Sequence, residues 1–289
     1  MEVAPLFAAL FSVLIPTKMW FGVNQPDNVR IDSKDEVTLV LTDFSGKMLP
    51  AKGPADAAGG ATKDLKTIFP ELENIGTYVL YAVPKGKTIA DFAGTPLVIE
   101  VRAEKEGPQA PTVTAVKPLQ YAVMQTAKGP VTMIFYYDVA PLTVDSFLKL
   151  ASEGYYDGLN FHRIVPGFVI QGGDPRGDGT GGPGYSVPAE FNDRPHKEGV
   201  LSMARAQDPN SGGSQFFICL DYNRTKALDH NYTVFGTVTD GMNAVNDIAH
   251  VPLASEQTGA PRDPQVIQKL TVKPVTAQDN PYKATFGSK

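Results

Sequence analysis

Arg163 and Gln171 stand out because each interrupts an otherwise apolar run, "FHRIVPGFVIQGGD", Phe161 to Asp174. Pro166 and Gly167 break this run into two short strands. A two-residue turn would set Arg163 opposite Ile170, whereas a three-residue corner of Pro166, Gly167 and Phe168 would set it opposite Gln171. In the second register Arg163, Val165, Val169 and Gln171 share one face, since strand side chains alternate with period two. A guanidinium steadied by an amide on an apolar surface is a preorganised hydrogen-bond donor. The alternative is a structural arginine tied to a buried carboxylate such as Asp174. The stretch alone leaves both roles open.

Other chemistries lack their apparatus. Gly177, Gly179 and Gly182 in "GDGTGG" satisfy the dinucleotide pattern, but that motif needs a helix N-terminus behind it, and Pro183 and Gly184 follow instead. His162, His196, His230 and His250 show no metal-ligand spacing, and Cys219 is the only cysteine, so neither a metal site nor a disulfide is expected. No serine sits in a G-x-S-x-G elbow. A net charge of −5 offers no footprint for nucleic acid.

The elements that must position Arg163 lie in the second part of a 289-residue chain. There "TMIFYYD" reads as a strand and "APLTVDSFLKLASEG" as a helix, with Val144, Phe147, Leu148 and Ala151 on one face and Gly154 as its stop. Further strands follow at "GVLSMARA", "SQFFICL", "TVFGTV" and "IQKLTVKPV", with a short helix near "GMNAVNDIAH". Many strands and few helices predict a mainly β unit, a closed antiparallel barrel with capping helices. Residues 1–105 carry strand-like runs ("KMWFGV", "EVTLVLTD", "TYVLYAV", "PLVIEVR") and no long helical period, which predicts a small β-sandwich with no assigned role. Residues 106–118, charged and proline-bearing, read as a linker, 119–275 as the second domain and 276–289 as a C-terminal tail. Val3 to Ile15 is apolar and about as long as a signal-peptide core, yet no positive charge precedes it. It reads either as an export signal or as a first buried element, so cytoplasm and cell envelope both stay open. It is too short to span a bilayer.

The motifs "FHRIVPGFVIQGGDP", "GTGGPGY", "GVLSMARA", "SGGSQFFICL" and "LDHNYTVFGTVTDGM", in this order and spacing, resemble the cyclophilin family of peptidyl-prolyl cis–trans isomerases over roughly residues 119–275. The resemblance is to bacterial members, with residues 1–118 outside it. It implies an eight-stranded antiparallel barrel capped by two helices. It also implies that Arg163, Phe168 and Gln171 are catalytic. His162, Val169, Met203, Ala204, Arg205, Gln215, Phe217, Ala227, Leu228 and Tyr232 would then bind substrate: an apolar pocket for the proline ring, with Gln171 and Arg205 holding the flanking carbonyls. Ala227 stands where drug-sensitive members carry tryptophan, so weak cyclosporin binding is expected. The partners implied are proline-containing polypeptides, unfolded or client proteins, met by a cofactor-free monomer. Two function classes remain at this stage, an isomerase and a noncatalytic proline-binding scaffold, and the intact arginine favours the first.

Overall fold

The computed structural model describes residues 13–22, 25–103 and 112–283. The chain divides into two compact units: residues 1–119 together with 274–289, and residues 120–273. Most of the apolar N-terminal stretch, Val3 to Ser12, lies outside the described residues.

The main sheet of the second unit is built from β1 (Gln120–Thr126), β2 (Gly129–Phe135), β3 (Arg163–Val165), β4 (Val169–Gly172), β5 (Val200–Met203), β6 (Phe216–Cys219), β7 (Val234–Asp240) and β8 (Ile267–Pro274). They form one sheet in the order β3-β4-β6-β5-β7-β2-β1-β8. The expected closed barrel is corrected: the eight strands form an open sheet, a half-barrel. The edge strands β3 and β8 form no ladder with each other; between them lies an isolated bridge, Asn160 to Val266. Two longer helices, α1 (Pro141–Ser152) and α2 (Met242–Ala249), pack on sheet strands, α1 on β7 and α2 on β2 and β4.

Period-two alternation splits this sheet into two apolar faces. One face meets α1, whose Val144, Phe147, Leu148 and Ala151 are all buried as their helical spacing predicts. Phe147 inserts among Phe135, Tyr156, Phe216 and Phe235, with ring centroids 4.9–5.6 Å away. Edge and tilted contacts of this kind suit the aromatic quadrupole. The other face carries Val169, Phe217 and Cys219, one residue out of phase with Ile170, Phe216 and Ile218.

The N-cap of α1 is Ala140, which offers no side-chain acceptor. Glu190, from the long loop before β5, supplies it: Oε1 accepts from Leu142 N at 3.0 Å, and Oε2 accepts from Thr143 N and Oγ1 at 2.8 Å each. A carboxylate here satisfies orphan amides and faces the positive end of the helix dipole.

The first unit is also antiparallel β. A three-stranded sheet (Leu14–Pro16, Asn28–Ile31, Thr62–Asp64) and a seven-stranded sheet contribute to one apolar core that includes Leu14, Val29 and Ile31 from the first and Leu39, Leu80, Leu97 and Ile99 from the second. The linker expectation is corrected for Thr112–Pro118. This segment is a strand paired with Ala93–Ala103, from Thr112 opposite Ala103 to Pro118 opposite Leu97. Its one proline, Pro118, stands at the strand's end and leaves the interior free to donate. Lys117 in this strand pairs with the buried Glu100 at 2.7 Å, and Arg102 also pairs with Glu100. The described part of the expected tail, up to residue 283, likewise belongs to the first unit, with Tyr282 buried and edge-on to Phe44.

Replacing Glu190 by Ala should destabilise the second unit by about 1–2 kcal/mol, the range of a lost N-cap. The check is the thermal midpoint, expected a few degrees lower; an unchanged midpoint would mean that water caps α1 as well as Glu190 does.

Candidate functional site

The three-residue corner decides the register. Arg163 lies opposite Gln171, Ile164 opposite Ile170 and Val165 opposite Val169. Gly167 supplies a positive φ of 67° at the corner, and Arg224 Nη1 donates to Pro166 O at 2.7 Å, holding it from outside. On the far side of Arg163, Ile164 N donates to Gly259 O at 2.7 Å. Gly259 also has a positive φ, and a Cβ there would stand 2.6 Å from Ile164 O and 3.2 Å from Arg163 Cγ. Only glycine lets that turn approach so closely.

Arg163 heads a directional chain of hydrogen bonds. Its Nη1 donates to Gln171 Oε1 at 3.4 Å, and Gln171 Nε2 donates to Gln215 Oε1 at 3.0 Å. Gln215 Nε2 then donates to Gly179 O at 3.0 Å and Gly181 O at 2.9 Å. Each amide is fixed in orientation because its oxygen receives and its nitrogen gives, and such chains polarise cooperatively. The alternative role for the arginine fails. Asp174 is buried, but its carboxylate accepts from the amides of Arg176 at 2.8 Å and Gly179 at 2.5 Å. Asp174 therefore folds the glycine-rich loop, and leaves the guanidinium to the glutamine.

Beside this polar row lies an apolar cluster. Val169, Val200, Phe217, Cys219 and Val234 are buried, and Phe168, Ala204, Leu228, Tyr232 and Tyr136 pack on them half exposed. A cleft of about 760 Å³ opens next to it, lined by Gln171, Gln215, Ala204, Arg205 and the loop from Gly179 to Ser186. The cleft and the apolar cluster share Ala204. An apolar seat beside an oriented donor row can hold a small ring while a guanidinium points at an atom that gains a lone pair.

The other expected residues are not all turned to the groove. Met203 faces the other way: it lies opposite Phe216, one residue out of phase with Phe217. With Arg205 and Phe191 it lines a separate, small cavity. Alternation holds Met203 off the groove because it is still in β5, whereas Ala204 and Arg205 lie beyond the strand and line the cleft. The ring nitrogens of His162 are buried and without a hydrogen-bond partner, which takes them off the open groove. Ala227 is exposed, in the turn Lys226–Leu228. Arg205 directs its donors onto the chain's own carbonyls, Nε to Asn231 O at 3.1 Å and Nη1 to Ala206 O at 2.9 Å and Gln207 O at 3.2 Å.

Sequence reasoning missed the support under Phe217. The buried ring of His196 lies nearly parallel to Phe217, with centroids 6.1 Å apart and an interplanar angle of 18°. His196 Nδ1 is 2.8 Å from Asp229 Oδ1, and Nε2 is 3.0 Å from Ser202 Oγ, which donates to Thr233 O. No signal of spacing links residues 196, 202 and 229; only the pairing of β5 with β6 and β7 brings them together. Burial pushes the His196 pKa below its ordinary value, outweighing the upward pull of Asp229. Burial pushes Asp229 up, but the bonds from His196 and Tyr222 together hold it below the usual carboxylate range. Among the described residues no cluster of metal-ligating side chains occurs, and no helix is long and apolar enough to cross a membrane.

A family model described as cyclophilin-type peptidyl-prolyl cis-trans isomerase/CLD matches residues 121–272. A peptidyl-prolyl cis-trans isomerase of Synechococcus elongatus is 52% identical over 119 residues, 41% of this chain and 80% of that protein. Peptidyl-prolyl cis-trans isomerase B of Bacillus subtilis is 48% identical over 123 residues, 42% of this chain and 84% of that protein. Among solved structures, a cyclophilin-type isomerase of Cryptosporidium parvum, crystallised in the presence of the dipeptide Ala-Pro, aligns with a TM-score of 0.50 at 31% identity. That alignment covers 54% of this chain and 99% of the other.

The depressed His196 pKa makes stability depend on pH with a fixed sign. The unfolded ring takes a proton near pH 6.5 while the folded ring resists it, so stability is lost as pH falls below about 6.5 and levels off once the folded ring also protonates. His162, lowered by burial, acts in the same direction. Amide exchange in Val200–Met203 should therefore quicken between about pH 7.5 and about pH 5.5, after correction for intrinsic rates, and less so in His196→Gln. Equal protection at both values would contradict the linkage.

Proposed function

This chain belongs to the cyclophilin-type peptidyl-prolyl cis–trans isomerases and is such an isomerase, and we propose that Arg163, with the apolar pocket beside it, lowers the barrier to rotation about X–Pro bonds in unfolded or client polypeptides. The observation that carries the mechanism is the Arg163–Gln171–Gln215 row running alongside the Phe168, Phe217 and Leu228 surface.

Rotating an amide costs about 18–20 kcal/mol because resonance must be broken. As the amide twists, the prolyl nitrogen becomes pyramidal and regains a lone pair. A guanidinium beside that nitrogen gains its hydrogen bond chiefly in the transition state, which is the condition for lowering the barrier rather than merely binding tightly. Gln171 and Gln215 keep the guanidinium from rotating away, so little reorganisation is needed when the lone pair forms. Phe168, Phe217 and Leu228 seat the pyrrolidine ring, with Val169 beneath. No bond breaks and no proton moves, so the reaction asks for no metal or redox group.

The same reading treats residues 119–275 as the catalytic domain. Residues 1–105 are read as a small sandwich of two sheets, supported by their common apolar core. The protein acts as a monomer on this reading, with the N-terminal unit outside the chemistry.

Arg163→Ala should cut kcat/KM by at least about tenfold, since a charged hydrogen bond is worth about 1.5–3 kcal/mol and each 1.4 kcal/mol is a decade. A coupled assay on a short X–Pro peptide measures it; wild-type turnover in a folded variant would sink the mechanism.

Exposed Ala227 gives an inhibitor no indole at the rim, so cyclosporin should bind weakly. Ala227→Trp should tighten it by a few kcal/mol, the scale of an aromatic hot spot. Titration calorimetry reads both proteins, and nanomolar binding by the wild type would refute this assignment.

A further inference from the structure

Arg205 lines the cleft beside the pocket. It stands two residues past the end of β5, half-buried, and its Cζ lies 4.7 Å from the ring centroid of Tyr232. Phe191 stands 5.9 Å from the same Cζ. Tyr232 in turn packs edge-on against Phe217, with centroids 5.7 Å apart at 78°, and meets His196 at 6.5 Å. The guanidinium also bonds Asn231 O across the gap between the two loops, and Ala206 O and Gln207 O on its own loop.

We propose that Arg205 is a positioning residue that holds Tyr232 as the rear wall of the proline pocket, clamping the loop after β5 to the loop before β7. This rests on the assignment of the pocket above. Three features support it. First, the bonds to carbonyls on both loops fix the guanidinium plane, so the charge cannot follow a mobile ring. Second, a cation over an aromatic face attracts it through the ring quadrupole. Third, the ring so held touches the residue at the floor of the pocket. An arginine suits this position better than a lysine, because the planar fork can bond three carbonyls while its face stacks on the ring.

The clamp acts on the seat for the proline ring rather than on the twisting nitrogen. Loosening it should weaken substrate equally in the ground and transition states, raising KM and leaving kcat nearly unchanged. A residue that only stabilised the fold would instead reduce the amount of active protein, lowering apparent kcat at constant KM.

A double-mutant cycle on the full chain tests the clamp. Arg205→Met, which keeps the apolar stem, should lower kcat/KM about threefold, carried by KM, the size of one half-exposed cation–π contact. In a Tyr232→Leu background the same change should cost almost nothing further, because the ring it holds is gone. In a Tyr232→Phe background, where the aromatic face remains, it should cost the full amount. If Arg205→Met does not fold, Arg205→Lys in the same three backgrounds replaces it, with the same ordering expected. Equal losses with and without the ring, no loss at all, or a loss carried by kcat would each overturn the proposal. Arg163→Ala serves as the control: if it too leaves turnover intact, the pocket assignment has failed, whereas a missing Arg205 coupling beside a strong Arg163 effect condemns the clamp alone.

Discussion

The pairing of Arg163 with Gln171 across a three-residue corner is the constraint on which the functional face depends. A shift of one residue would turn Arg163 toward Ile170 and reverse the faces of β3. The corner is held from three directions: Gly167 at positive φ, Arg224 on Pro166 O, and the Gly259 turn bonded to Ile164. None of these touches the cleft directly. Their work is to make one register the only one available, so that a guanidinium remains on an apolar face without a carboxylate to neutralise it.

That arrangement explains why the polar row ends in backbone carbonyls. A buried counter-ion would draw the guanidinium away from a neutral amide nitrogen and would compete with it at the moment of rotation. Glutamine amides orient the charge while leaving it unquenched. The one buried carboxylate nearby, Asp174, is occupied by loop amides, and the loop it shapes presents Gly179 O and Gly181 O to Gln215. In "GDGTGG", Gly177 and Gly179 take positive φ, and a Cβ at Gly181 would stand 2.1 Å from Asp174 Oδ1. Their likeness to a phosphate loop is a coincidence of composition.

The apolar side of the site is also held by polar groups behind it. His196 and Ser202 stand beneath Phe217, and Asp229 ties both loops of the region to the His196 ring. Arg205 in turn lies over the ring of Tyr232. A pocket that must accept prolines from many different sequences has few contacts of its own with each, so its shape must be set by the protein before substrate arrives.

Much of this was legible in the chain itself. The Pro-Gly break and the alternation around it confined Arg163 to two registers, and the spacing of Val144, Phe147, Leu148 and Ala151 fixed the buried face of α1. The order of five motifs pointed to the family. These are local signals, carried by neighbours within about one turn or one hairpin. What tertiary structure alone decided are the partners of long side chains and the ends of elements. Glu190 caps a helix 47 residues before it, Gln215 completes a row begun at Arg163, and His196 finds Asp229 33 residues away. Arg205 turned its donors inward, Met203 fell out of phase with Phe217, and Thr112–Pro118 became a strand once Ala93–Ala103 offered an edge. Sequence states which side chains can donate, accept or fill space. Which of them meet is set by sheet register, and register is fixed only when distant strands pair.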